Sequence, residues 1–289
     1  MEREIVGFHL DEEGDWVAEL SCGHSQHVRH DPPWQVRPWV MTDAGRAGRV
    51  GTLLSCTDCL APLRPGQGTL VDVSHTVEAG MVTYKGLPAP IICDYLSRER
   101  SRQTYAEGTE FQIGRIDMVA NTGTYVDSPF HRYEHGKDLS ELPLTSLADL
   151  DCVVLRGRQR AGRALGRELL GRVDVRDKAV LVHTGWCAHW RTDAYFEGHP
   201  FLTADLAEEL VQRGAALVGI DSFNIDDTAD RSRPVHTTLL GAEIPIAEHL
   251  TGLERLPDHG SRFFAVPVKV KGFGTFPVRA FSIVETGTS

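Results

Sequence analysis

Cysteine is scarce in this chain, with six in 289 residues. That is too little sulfur to staple a protein of this length, so a disulfide scaffold is excluded and the thiols are expected in metal and core roles in a reducing compartment. Long apolar runs are missing as well: nothing approaches the roughly 18 consecutive apolar residues of a membrane helix. The acidic start Met1-Glu2-Arg3-Glu4 is followed by no signal-peptide core. A cytoplasmic protein that neither enters nor binds membranes is expected. Positive charge is in deficit, 30 Lys and Arg against 40 Asp and Glu, giving a net charge of −10 and a pI near 5.7. No overall field therefore draws nucleic acid or an anionic membrane. There is no G-x-G-x-x-G after a strand, no Walker loop and no internal repeat, so the nucleotide-binding classes lose their support. Small molecules and other subunits remain as expected partners.

What is present is ordinary globular material, 41% apolar and 24% charged, in a chain long enough for one large domain or two. Residues 1–62 read apart from the rest. They hold Cys22-Gly23-His24, then His27 and His30, and close with Cys56-Thr57-Asp58-Cys59. Two thiols separated by two residues can grip a tetrahedral ion through one knuckle, and Cys22 with His24 can complete the shell from another. A structural zinc on Cys22, His24, Cys56 and Cys59 is thus expected to staple a small zinc-ribbon-like domain. Pro and Gly punctuate a linker over 63–69.

From residue 70 to 289 strand-like and helix-like runs alternate, which reads as an α/β domain. Expected strands include 70–73, 90–93, 111–127, 152–155, 179–183, 216–220 and 263–270. The clearest helix is 203–213, with Thr203 as its cap and Gly214 as its stop. The arginine-rich stretch 156–172 reads as solvated surface. Cys187 is expected to pack rather than react, and Trp186, Trp190, Tyr195 and Phe196 could wall a site for an aromatic substrate.

The stretch Asn121-Thr122-Gly123-Thr124-Tyr125-Val126-Asp127-Ser128-Pro129-Phe130-His131 stands out. Read as extended chain, it places Asn121, Gly123, Tyr125 and Asp127 on one face. Pro129 ends any regular pairing and leaves His131 just beyond on a turning backbone. Further on, the run 216–220 ends in the acidic loop Asp221 to Asp227, at a strand's carboxyl end where α/β sheets place ligands. His236 and Glu248 follow, separated by Pro245.

From about Leu70 onward, this pattern resembles the cyclase family of metal-dependent hydrolases, which includes the bacterial kynurenine formamidases and has isatin hydrolases as relatives. The family's central motif is His-x-Gly-Thr-His-x-Asp-x-Pro-x-His, matched here by Asn121 to His131. Also similar are Thr184-Gly185-Trp186, Gly219-Ile220-Asp221-Ser222, His236 with Leu239-Leu240, Glu248, and the closing Pro267 to Val270 and Pro277 to Ala280. The resemblance implies a swivelling β/β/α domain, assembled as a homodimer or homotetramer, that hydrolyses a small amide, formamide or lactam such as formylkynurenine. It implies Asp127, His236 and Glu248 as ligands of a divalent zinc or manganese ion, and Asp127 with His131 as catalytic residues. Tyr125 and Trp186 become substrate-binding candidates. Residues Gly7 to Trp34 resemble a small bacterial domain of unknown function.

The family's two motif imidazoles correspond here to Asn121 and Tyr125. An amide oxygen and a phenol are weaker ligands than imidazoles, so metal affinity should fall and a harder ion, such as manganese, magnesium or calcium, gains ground, with Asn121 as a carbonyl ligand. Two other outcomes are a metal-free pocket in which His131 works with Asp127 or Glu248, and a degenerate binding or regulatory protein.

Overall fold

The computed structural model describes residues 2–11, 14–21, 25–28, 38–55, 68–159 and 162–285. The chain forms two compact units, Met1–Gln67 and Gly68–Ser289. Among the described residues no helix is long and apolar enough to cross a membrane.

The first unit is a four-stranded antiparallel sheet in the order β3-β2-β1-β4, made of β1 (Glu2–Leu10), β2 (Trp16–Leu20), β3 (Ser25–His27) and β4 (Leu53–Ser55), with a short helix α1 (Asp43–Ala47). Its core is Ile5, Ala18, Leu20, Val28 and Val40, bordered by Phe8, Trp16, Trp39 and Leu54. The Arg46 guanidinium lies over the Trp16 ring, 3.6 Å from its centroid. The expected zinc ligands Cys22, His24, Cys56 and Cys59 lie outside the described residues, as does most of the expected linker; Thr69 opens the first strand of the second unit.

The second unit is mixed α/β. In chain order its strands are β5 (Thr69–Asp72), β6 (Ile91–Leu96), β7 (Ile113–Asp117), β8 (Tyr125–Asp127), β9 (Leu150–Arg156), β10 (Ala164–Leu165), β11 (Ala179–His183), β12 (Phe201–Leu202), β13 (Leu217–Ile220), β14 (Ile246–Glu248), β15 (Ser261–Phe264), β16 (Thr275–Pro277) and β17 (Phe281–Val284). Its helices are α2 (Arg98–Ser101), α3 (Ala204–Gln212) and α4 (Pro234–Gly241). Nine strands form one sheet, β16-β8-β14-β13-β11-β9-β15-β17-β5. Its centre, β9 to β14, is parallel, and both flanks are antiparallel.

The central strands β9, β11 and β13 are rich in Val, Leu and Ile because both of their faces are covered. Val180, Val182, Val218, Ile220 and Ile246 pack with Leu206 and Leu210 of α3 and Leu239 of α4. Their neighbours Leu181, Leu217 and Ala247 point the other way, into a second cluster with Val126, Leu250 and Phe263. Successive strand residues face opposite sides, so one run serves two cores.

Four sequence expectations are corrected. The strand expected over 111–127 is two strands, β7 and β8, with a turning segment between. Gly123 causes the break: its φ is +69°, and a Cβ there would stand 2.9 Å from Val77 Cγ2. Thr122 and Thr124 reinforce it by donating their hydroxyls to the carbonyls of Val119, at 2.7 Å, and His249, at 2.5 Å. Asn121 therefore does not share strand geometry with Tyr125 and Asp127. The strand expected over 263–270 is paired only to Phe264. Thr203 sits at the N-cap of α3, but its side chain makes no capping bond and turns to Asp205 and the Leu165 carbonyl instead. Finally, Arg156 is not free surface: it donates to Asp258 at 2.7 Å and to the carbonyls of Leu253 and Leu256 at 2.9 and 2.5 Å.

Candidate metal and active site

β8 and β14 pair antiparallel, with Asp127 opposite Ile246 and Tyr125 opposite Glu248. Period two turns Val126 into the core and leaves Tyr125 and Asp127 on the other face, beside Glu248 at the carboxyl end of β14. The acidic loop after β13 and the first turn of α4 bring in Asp226 and His236. β16 pairs with β8 from the far side and sets Thr275 opposite Asp127. These elements enclose a cavity of about 290 Å³ lined by Asn121, Tyr125, His131, His236 and Glu248, with Tyr84, Leu87, Arg132, Asn224 and Arg233 completing its wall.

Asp127 is fully buried. Its Oδ1 accepts the Thr275 hydroxyl, while Oδ2 is buried with no hydrogen-bond partner, 3.7 Å from His236 Nε2. An unpartnered buried carboxylate oxygen facing an imidazole nitrogen is costly unless a cation completes it. Asp127, His131 and His236 each offer a ligand atom within 4.8 Å of the others, so the residues fit a divalent ion. The other ring nitrogen of His236, Nδ1, is 2.6 Å from Asp226 Oδ2, and Asp226 also takes the backbone N–H groups of Val235 and His236 at 2.7 and 3.1 Å. A carboxylate behind an imidazole orients the ring and sharpens its outer nitrogen as a ligand.

Charge balance agrees. Burial alone would lower the His236 pKa, but the facing Asp127 carboxylate, the hydrogen bond to Asp226 and the charge of Glu248 raise it to about 10. Burial works against Asp127 ionising, yet His131, His236 and Thr275 outweigh it and hold its pKa below the ordinary value. Burial pushes the Glu248 carboxyl up to about 7 despite His236 and its hydrogen bonds. The site is built for positive charge.

Glu248 is firmly held, with Oε2 accepting the Tyr125 hydroxyl and Oε1 the Ile225 N–H, both at 2.6 Å, and with Oε1 3.9 Å from His236 Nε2. Tyr125, where the family motif has an imidazole, thus serves as a hydrogen-bond donor to a carboxylate. Burial and the Glu248 and Asp127 charges keep that phenol protonated. Asn121 lines the cavity, and its backbone carbonyl accepts the Thr83 hydroxyl at 2.9 Å.

His131 Nδ1 lies 2.9 Å from Thr275 Oγ1 and 3.7 Å from Asp127 Oδ1. Because the one hydroxyl proton of Thr275 goes to Asp127, its oxygen accepts from His131. In the neutral ring this places the proton on Nδ1 and makes Nε2 the acceptor. Gly274 makes this geometry feasible: a Cβ there would stand 2.6 Å from the His131 backbone nitrogen. Gly274→Ala is therefore expected to displace His131, at a cost of about 1–3 kcal/mol in stability and with a fall in turnover, read by thermal melting and initial rates.

Trp186 stands outside the cavity lining and donates its indole N–H to the Tyr195 carbonyl at 3.0 Å. The thiol of Cys187, close to the same turn, is pushed up by burial to about 11, which suits packing and not nucleophilic attack. Asp221 braces this turn, accepting from the N–H and hydroxyl of Thr184, both at 2.6 Å, and from Gly185 N–H at 2.9 Å. Thr275, Arg233, Tyr84 and Leu87 carry no local motif, and only tertiary pairing reveals their place.

Fold and site together define an α/β protein with a buried carboxylate–imidazole centre suited to a divalent cation, at the carboxyl ends of parallel strands. The chain belongs to the Cyclase family, which residues 71–227 match; residues 6–62 match DUF3565, a family of unknown function. It is similar to the kynurenine formamidase of Bacillus anthracis, 26% identical over 217 residues that cover 73% of this chain and 95% of that one. It is also similar to the kynurenine formamidase of Geobacillus thermodenitrificans (strain NG80-2), 29% identical over 188 residues, 63% of this chain and 84% of that one. Among solved structures, isatin hydrolase A from Labrenzia aggregata shares the fold with a TM-score of 0.66 at 20% identity, covering 81% of this chain and 100% of that one. A structure titled as a potential metal-dependent hydrolase with cyclase activity does so with a TM-score of 0.62 at 24% identity, over 76% and 99%.

Proposed function

We propose that this protein is a metal-dependent hydrolase of a small amide-type carbon–nitrogen bond, with an aryl formamide of the formylkynurenine kind as its substrate. The observation that carries this reading is the unpartnered buried oxygen of Asp127, facing His236 Nε2 in the same cavity as His131. Asp127 and His236 would hold the ion, with Glu248 beside them. Bound there, a divalent cation supplies Lewis acidity toward a carbonyl oxygen and acidifies water.

The chain's own residues supply the rest. His131 Nε2 takes the proton of the attacking water and returns it to the departing nitrogen, so one imidazole serves as base and then acid. The Asp127–Thr275–His131 chain keeps that ring in the required tautomer. Tyr84 and Leu87 offer an apolar wall to an aromatic ring, and Arg132 and Arg233 offer cationic groups to a carboxylate on the substrate. Asn121 and Tyr125 remain compatible with hydrolysis because Tyr125 holds Glu248 in place rather than ligating.

The test measures turnover of formylkynurenine, formanilide and isatin by the metal-stripped protein and after addition of zinc or manganese, alongside metal content by elemental analysis. Metal-dependent amine release, faster for formylkynurenine than for formanilide, is expected. Stoichiometric metal with no turnover of any of the three would refute the hydrolase reading and leave a binding protein.

A further inference from the structure

Two arginines border the cavity, and their surroundings differ. Arg132 is exposed, donates from Nε to Thr237 Oγ1 at 3.3 Å and lies with its guanidinium 5.2 Å from the Tyr133 ring centroid. Arg233 is half-buried, and its hydrogen bonds to Asn224 Oδ1 and the Asp227 carbonyl are long, 3.5 and 3.4 Å. Both oxygens already serve better donors, since Asn224 Oδ1 accepts the Asp226 N–H and the Asp227 carbonyl accepts the Asp230 N–H, each at 3.0 Å. Asp227 turns its carboxylate to Arg163 instead, at 3.8 Å, and Asp226 gives its own to His236. No ion pair with a carboxylate neutralises Arg233 among the described residues. A half-buried guanidinium without a counter-anion is costly unless a ligand supplies one.

The backbone holds Arg233 in this position under strain. As the N-cap of α4 it has φ +50° and ψ +60°, the left-handed region that a Cβ disfavours. Bonds on both sides enforce it: Asp230 accepts the Ser232 N–H at 2.9 Å and hydroxyl at 2.7 Å, and the Arg233 carbonyl accepts the Thr237 N–H at 2.9 Å. Arg233 precedes His236 by three residues, so one turn of α4 sets the spacing between the imidazole that faces Asp127 and the guanidinium. Tyr84 and Leu87 line the same cavity, and the Tyr84 ring lies 4.7 Å from that of Phe223. Burial raises the Tyr84 phenol, so its hydroxyl stays a donor. A cation and a phenol beside an aromatic wall suit an arene that carries a carboxylate on a side chain.

We propose that Arg233 is the specificity-determining residue of this site: its guanidinium binds the carboxylate of an anionic aryl formamide, so that such substrates are preferred to neutral formamides and to neutral lactams such as isatin. This rests on the hydrolase reading for the reacting bond, while the preference for the anion is measurable by binding alone. Arg132, exposed and engaged with Thr237 and Tyr133, contributes little by comparison.

Calorimetry on the metal-loaded full chain tests this with 3-benzoylpropionate, which has an aryl ketone and a carboxylate but no scissile amide, and with its methyl ester. The acid should bind about 10- to 100-fold more tightly than the ester, the usual worth of a hydrogen bond to a charged group. Arg233→Gln should erase the preference, and so should Arg233→Gly, which accepts the positive φ without strain. Arg233→Lys should restore part of it, and Arg132→Gln should change it by less than about fivefold. In turnover, the ratio of kcat/KM for formylkynurenine to that for formanilide should fall in Arg233→Gln, chiefly through KM for formylkynurenine. Equal binding of acid and ester by the parent protein, or a preference that survives both Arg233→Gln and Arg233→Gly, would overturn the proposal. Proportional losses on both substrates would also overturn it, by marking Arg233 as a structural support for His236. An Arg233-dependent preference for the acid without turnover of any formamide would uphold the carboxylate seat and refute the hydrolase reading.

Discussion

Asp127→Asn is expected to strip the protein of its active-site metal and to lower kcat/KM on the order of 10³-fold, matching the several kcal/mol that a bound cation contributes. The substitution keeps the shape and an acceptor for Thr275 but removes the charge that faces His236 Nε2. Two readouts separate cause from collapse. Elemental analysis should show the metal gone after mild chelation, while the far-UV circular dichroism should stay that of the parent protein, which separates loss of a ligand from unfolding. Unchanged metal retention in the Asn variant would show that Asp127 is not a ligand.

The second large effect is expected at His131. His131→Ala should lower kcat by roughly 10²–10⁴-fold, the usual contribution of a positioned acid–base group, while leaving metal content near that of the parent protein. Thr275→Val tests the relay behind it. Without the hydroxyl, Nδ1 loses its acceptor at 2.9 Å and Asp127 loses a donor, so kcat should fall while KM for formylkynurenine changes little. Thr275→Ser should restore the rate. A Val variant as active as the Ser variant would mean that Thr275 does not orient the imidazole.

Much of the site was legible before any coordinates. Asp127, His131, His236 and Glu248 stand in a spaced pattern of acids and imidazoles around prolines; His131, His236 and Glu248 line one cavity, and Asp127 lies 3.7 Å from both imidazoles. The central strands were legible for the same kind of reason: a sheet covered on both faces demands short continuous apolar runs, as in 179–183 and 217–220. Less visible was the break at Gly123, since a positive φ depends on a close approach to Val77 that no local pattern records.

Thr275 was invisible for a different reason. It lies 148 residues from Asp127, and a lone threonine in a strand is an ordinary residue until antiparallel pairing sets it opposite a buried acid. The same holds for Asp226, one acid among several in a polar loop, of which only this one backs His236. Trp186 shows the converse, since the Thr184-Gly185-Trp186 match and its aromatic ring made it a substrate-binding candidate, whereas its indole N–H is donated to the Tyr195 carbonyl.

By itself, the sequence determined the α/β class, the family motif with its exchanged imidazoles and the ligand chemistry available, because these follow from residue type and spacing along one chain. Tertiary structure alone decided that Tyr125 holds Glu248 and that Thr275 joins Asp127 to His131. Those are contacts between segments far apart in sequence, and they exist only once the sheet has brought its edges together.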